Sequence, residues 1–259
     1  MRMVGLPLVL GGCFRAAAAT AMVVPPCAGR AMHPPARVTR VDRSGALILA
    51  RDRAVVLEGI LLPGAEDGGS GRLLADETYV ALSQLAGGPL TVAARPPQTD
   101  RYDRLRAQAF GAVWLQKALL ERGLARVMIA PDRSDCAPEL YAAESQARQA
   151  KRGLWALPAY RVRQAAESLK ADAGTFQIVE GKVAHVGLGA GRTFLDFSQD
   201  WRNGFSAVIA AEDRKTFRHA HFDLGSLSGR RIRLRGTVEL FGGRPEIALS
   251  NPAQIELLN

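Results

Sequence analysis

The chain has 259 residues, of which 47% are apolar, 23% charged and only 6% aromatic. That makeup suits one large or two mid-sized globular domains, and it excludes a peptide or a disulfide-stapled miniature. No window approaches the roughly 18 consecutive apolar residues that a membrane-spanning helix needs. The net charge of +9 is uneven: residues 1–38 contribute +4, residues 39–174 +3 and residues 175–259 +2. Nearly half of the excess therefore sits in a short leader, and total charge argues only weakly for a polyanionic partner.

Residues 1–36 contain no acid, start basic at Arg2, carry apolar runs at 4–10 and 16–24, and end in small residues and prolines. These are the features of an export signal, which predicts a periplasmic or secreted protein. Leu10-Gly11-Gly12-Cys13 also resembles a bacterial lipoprotein site, and Met22 and Met32 leave open a later start in the cytoplasm. Cleavage near Ala28 or Ala31 would remove Cys13 and Cys27, leaving Cys136 with neither a disulfide partner nor a metal set.

After the leader, short apolar runs separated by turns predict strands at 38–41, 46–49 and 55–60. Helical spacing follows over 71–85, then a strand restarts at 89. Two further helices end at Gly123 and Gly153, the second with basic residues in its last turn. The order suggests a small Greek-key barrel with flanking helices over 37–160. Trp114 and Trp155 fall at helical positions beside apolar neighbours and are expected in the core.

Three blocks in this region, Asp100-Arg101-Tyr102-Asp103-Arg104, 114–127 from Trp114 to Val127, and 144–155 from Glu144 to Trp155, resemble the second half of the staphylococcal-nuclease (thermonuclease) family. The resemblance covers about half of the chain. It implies an OB-fold barrel and an ancestral calcium-dependent phosphodiesterase. The family's site lies mostly in the first half, where this sequence departs from it. Its Asp-Gly-Asp-Thr turn falls on Arg43-Ser44-Gly45-Ala46, so a metal carboxylate becomes Gly45. Val56 stands for a phosphate-binding arginine, Leu61 for a second metal carboxylate and Gly64 for the catalytic glutamate.

Calcium requires several oxygen ligands, and neither Gly45 nor Leu61 can supply one from its side chain. A missing arginine also removes a bidentate donor to the phosphorane. No metal and no cofactor is expected. The catalytic candidates reduce to Arg104, the retained family position, and Glu66, a possible displaced base, although 67–71 has the composition of a flexible turn, which favours reading Glu66 as part of an acidic surface loop. Arg104 has two readings: residual phosphate binding, or an ion pair with Asp100 and Tyr102 across a turn.

Apolar spacing over 161–174 predicts a helical connector, after which 175–259 turns to strands: 176–186, 193–197 and 205–210, a helix over 211–222, then 232–240 and 246–249. Three strands, a helix and two strands is the OB-fold order, and phrases such as Glu180-Gly181-Lys182-Val183 and 229–238 resemble nucleic-acid-binding OB-folds. The predicted fold is thus mainly β with helices (α+β), two tandem OB-fold five-stranded barrels, the first of staphylococcal-nuclease type.

Arg192, Trp201, Arg202 and Phe205 gather near the junction of the second and third strands, where bases could stack, or where Trp201 could cap the barrel. Arg231, Arg233 and Arg235 alternate and share one face, read as solvated and available as a phosphate track or as ordinary polar surface. His185, His219 and His221 have no zinc-ligand spacing. The sequence therefore predicts a monomeric thermonuclease-like protein without nuclease activity that binds single-stranded nucleic acid or a protein. An active calcium nuclease and an envelope interaction protein are the alternatives.

Overall fold

In the first half the alternating apolar runs become barrel staves. The strands are β1 (Arg30–Ala31), β2 (Ala36–Val41), β3 (Leu47–Leu49), β4 (Ala54–Leu57), β5 (Ile60–Leu61), β6 (Pro89–Ala94), β7 (Leu105–Phe110) and β8 (Arg126–Val127), with helices α1 (Gly68–Leu85), α2 (Leu115–Glu121) and α3 (Ala137–Gln149). The computed structural model describes residues 23–32, 34–64, 67–200 and 204–258, with backbone alone at 68 and 70. β2 pairs antiparallel with β3 and β3 with β4; β4 runs parallel to β7, β7 pairs with β6, and β6 returns to β2. The barrel closes on five staves, with α1 between the third and fourth. Leu47, Val55, Leu90, Leu105 and Leu119 are fully buried in its core.

The second half repeats the plan with β9 (Arg163–Gln164), β10 (Phe176–Lys182), β11 (His185–Leu188), β12 (Arg192–Asp196), β13 (Ser206–Ala210), α4 (Arg214–His219), β14 (Arg231–Phe241), β15 (Arg244–Ala248) and β16 (Ile255–Leu258). β11, β12 and β13 are antiparallel neighbours, β13 is parallel to β15, β15 pairs with β14 and β14 with β10. With β10 and β11 read as one bent stave, the order matches the first barrel, and α4 again joins the third and fourth staves. This is the strand order of the OB-fold.

Gly123 ends α2, whereas α3 stops at Gln149 with Lys151 at positive φ after it, so the expected helix end at Gly153 falls four residues too late. Gly123 and Gly153 both have positive φ, and Leu154 N–H donates to the Gly123 carbonyl at 2.9 Å. A Cβ at either glycine would run into the other's backbone or that of Arg152, so the end of α2 and the chain leaving α3 meet only because both side chains are absent.

Three expectations are corrected. Cys136 is not alone: it forms a disulfide with Cys27, 109 residues away. The leader read as 1–36 overlaps the barrel, because β1 pairs with β6 and Arg95 donates to the Cys27 and Pro26 carbonyls. The connector over 161–174 is not a helix. β9 pairs parallel with β10, Ala165 N–H donates to the Glu180 carbonyl, and a single 3-10 turn follows at Lys170–Asp172, so its apolar residues reach the cores from a short strand and turns. β16, paired with β14, is an element the sequence reading does not contain.

Candidate functional site

β3, β4, the β5 segment and α1 line a solvent-open cavity of about 440 Å³ on the first barrel, and the departures from the nuclease pattern converge on it: Gly45, Val56, Leu61 and Gly64 all line it, as does Arg104. The rest of its wall includes Ala46, Leu62, Leu82 and Tyr79. Gly45 has φ near 81°, and a Cβ there would collide with Leu62 Cδ1. The volume where a side chain at this position would begin is thus already filled by an aliphatic group. Among the described lining residues Asp42 is the one carboxylate, a residue the sequence reading passed over. Its Oδ1 accepts from Ser44 N–H, Ser44 Oγ and Ala46 N–H, which spends that oxygen on closing the turn.

Arg104 sits at the cavity edge with Nε 2.8 Å and one terminal nitrogen 2.7 Å from Asp100 Oδ2, and its guanidinium lies 5.2 Å from the Tyr102 ring centre. Asp100 also accepts from the Tyr102 and Arg104 backbone N–H groups. Slight burial opposes ionisation of Asp100, but the hydrogen bonds from Arg104 and Tyr102 outweigh it and hold the carboxyl below its usual range. The turn geometry of the second reading of Arg104 is therefore present. Glu66 lies outside the described residues. The side chain of its neighbour Asp67 is 7% exposed, accepts from one Arg126 terminal nitrogen at 2.8 and 3.0 Å, and accepts from Tyr160 Oη at 3.1 Å. Glu58, also passed over, is held by Arg106 and Arg133 on a separate side of β4. Burial raises its pKa, and those two arginines only partly offset the effect.

These residues do not fit calcium. A hard cation needs six or more oxygen ligands. Among the described residues the cavity offers one carboxylate, with one oxygen already engaged, among aliphatic walls.

On the second barrel the expected nucleic-acid residues separate. Trp201 and Arg202 lie outside the described residues. Phe205 is 2% exposed and packs on Phe197 at 5.3 Å between ring centres, so it belongs to the core and not to a stacking platform. Arg192 is exposed, 5.0 Å from the centre of the Phe241 ring, which is 60% exposed.

The shared face of Arg231, Arg233 and Arg235 is not solvated along its length, which corrects the expectation. Arg231 is exposed, Arg233 is paired with Glu180 and Glu256, and Arg235 is 1% exposed where the barrels meet. There Arg235 contacts Glu144 at 3.0 Å, also pairs with Glu256, donates to the Val127 carbonyl at 3.1 Å, and stacks 4.3 Å over Tyr141. Burial works against its charge, yet Glu144, Tyr141 and Glu256 together keep its pKa above the ordinary value. Arg126 makes the reciprocal reach, donating to the Phe176 carbonyl of β10. Trp114 and Trp155 are buried as expected, and Trp114 Nε1 donates to Gln108.

Strand order, closure and helix placement define the first half as an OB-type barrel, and its helices α2 and α3 pack against each other. Residues 85–157 match the family model described as staphylococcal nuclease homologue, and this part of the chain is a domain of that kind. The match takes in Arg104 and begins after Gly45, Val56, Leu61 and Gly64. No curated protein matches the chain. No helix among the described residues is long and apolar enough to cross a membrane.

Proposed function

We propose that the protein is an exported nuclease-fold scaffold that binds its target without hydrolysing phosphodiesters. The observation that carries this reading is the aliphatic cavity where the family's chemistry is expected, with Leu62 in the space beside Gly45 and Arg104 held by Asp100. Attack on a phosphodiester needs a charge-stabilising cluster and an activated water. Two guanidinium groups, Arg104 held by Asp100 and Arg43 paired with Asp76, do not make such a cluster without an activated water. Calorimetric titration of the oxidised protein with calcium is expected to give no saturable heat. Stoichiometric binding that disappears in Asp42→Asn would overturn the reading.

Export is supported by the Cys27–Cys136 pairing, since structural disulfides belong to oxidising compartments. A cut after Ala19-Thr20-Ala21, a small-residue site upstream of Cys27, would preserve the bond. Lipidation at Cys13 would preserve it too.

A second reading, weak single-strand binding by the second barrel, is favoured by Phe241 and Arg192 on adjoining hairpins. An exposed ring beside a guanidinium is a base-stacking platform, and its affinity would fall steeply with salt. With Arg233 and Arg235 committed to carboxylates, little cationic surface supports it.

A further inference from the structure

The 440 Å³ cleft of the first barrel, open to solvent on one side, lies within the size range of small-molecule sites, which are mostly apolar with a few polar groups that fix orientation. Its walls are Ala46, Val56, Leu61 and Leu82, with Tyr79 on one side. Two guanidinium groups stand among the lining residues: Arg43, 4.8 Å over the Tyr79 ring, and Arg104. We propose that this cavity takes the alkyl chain of a single-chain aliphatic carboxylate, with the carboxylate head at Arg43 and Arg104. The proposal rests on the reading that the cavity holds no calcium.

The apolar walls supply most of the binding, because area removed from water is what an alkyl chain offers. The head adds selectivity. Arg43 and its partner Asp76 have side chains 79% and 75% exposed, and an ion pair so solvated exchanges its carboxylate at little cost. Arg104 gives Nε and one terminal nitrogen to Asp100, leaving a donor. Asp42, the carboxylate that would repel an anion, has Oδ1 occupied by three donors of its own turn. Aliphatic walls and two cations already sharing carboxylates suit a singly charged amphiphile better than a nucleotide, whose phosphates need several unshared donors.

The test is calorimetric titration of the oxidised, leader-free protein with decanoate and with decanol, below their aggregation limits. One saturable site is expected, several-fold tighter for decanoate, with that preference lost in the Arg43→Gln, Arg104→Gln double variant. Val56→Trp, which fills the cavity, should weaken decanoate by about tenfold or more. A diazirine-bearing decanoate should label the unmodified protein within 42–64 and 75–82, a result that does not depend on any variant folding. Absence of saturable binding, equal affinity for decanol, unchanged binding by folded Val56→Trp, or labelling confined to other segments would overturn the proposal. Such a failure leaves the calcium result standing, whereas calcium binding would remove the ground of both.

Discussion

Arg235→Ala is expected to lower the unfolding free energy by about 3–5 kcal/mol, because it strips the partner from a buried carboxylate. Glu144 is 1% exposed, and without Arg235 it keeps the Val127 N–H at 2.7 Å and a longer contact to Arg148 at 3.3 Å. Glu256 and the Val127 carbonyl lose a donor at the same time. Arg235→Lys should recover little, since an ammonium cannot fork between two carboxylates and stack on Tyr141. Arg231→Ala, four residues earlier on the same face but exposed, should stay within about 0.5 kcal/mol. Thermal unfolding of the three variants checks the order. An Arg235→Ala protein as stable as Arg231→Ala would mean that the barrels are not joined through this network.

Reduction of the Cys27–Cys136 disulfide is expected to cost about 2–5 kcal/mol, since the bond joins residues 109 apart and removes the freedom of that loop in the unfolded chain. It ties the segment before β1 to the N-cap residue of α3. Denaturant unfolding with and without reductant measures the cost, and a Cys27→Ser, Cys136→Ser double variant should match the reduced protein. Protein made in its own host should carry an N-terminus upstream of Cys27 and no free thiol at Cys27 or Cys136 by alkylation and mass spectrometry. A mature start at Ala28 or later would contradict both the bond and the expected cost.

The strands, helix ends and repeated barrel plan were legible because they rest on local rules. Alternation marks staves such as β14, and Gly123 marks the end of α2, whereas α3 stops at Gln149, before Gly153. Placement of the altered site followed from the order of the motif blocks, and Gly45, Val56, Leu61 and Gly64 do share one cavity. What the sequence hides is long-range. Alternation puts Arg231, Arg233 and Arg235 on one face but does not say that the first barrel covers one end of it. Cysteine spacing does not give pairing, and an assumed cut at Ala28 or Ala31 discarded Cys27 in advance. Over 161–174 a helical spacing of apolar residues was outweighed by β9 pairing with β10, tertiary context deciding a short polar segment. Asp42 was missed because the motif alignment starts one residue after it, although the structure puts it in the wall of the cavity.

The most direct test of catalytic silence is hydrolysis of single-stranded DNA and of RNA by the oxidised, leader-free protein in excess calcium, with chelator as the control. The cavity's aliphatic walls, the turn-bound Asp42 and the tethered Arg104 predict cleavage at background in both conditions. Calcium-dependent turnover that is abolished by Arg104→Ala would contradict the account.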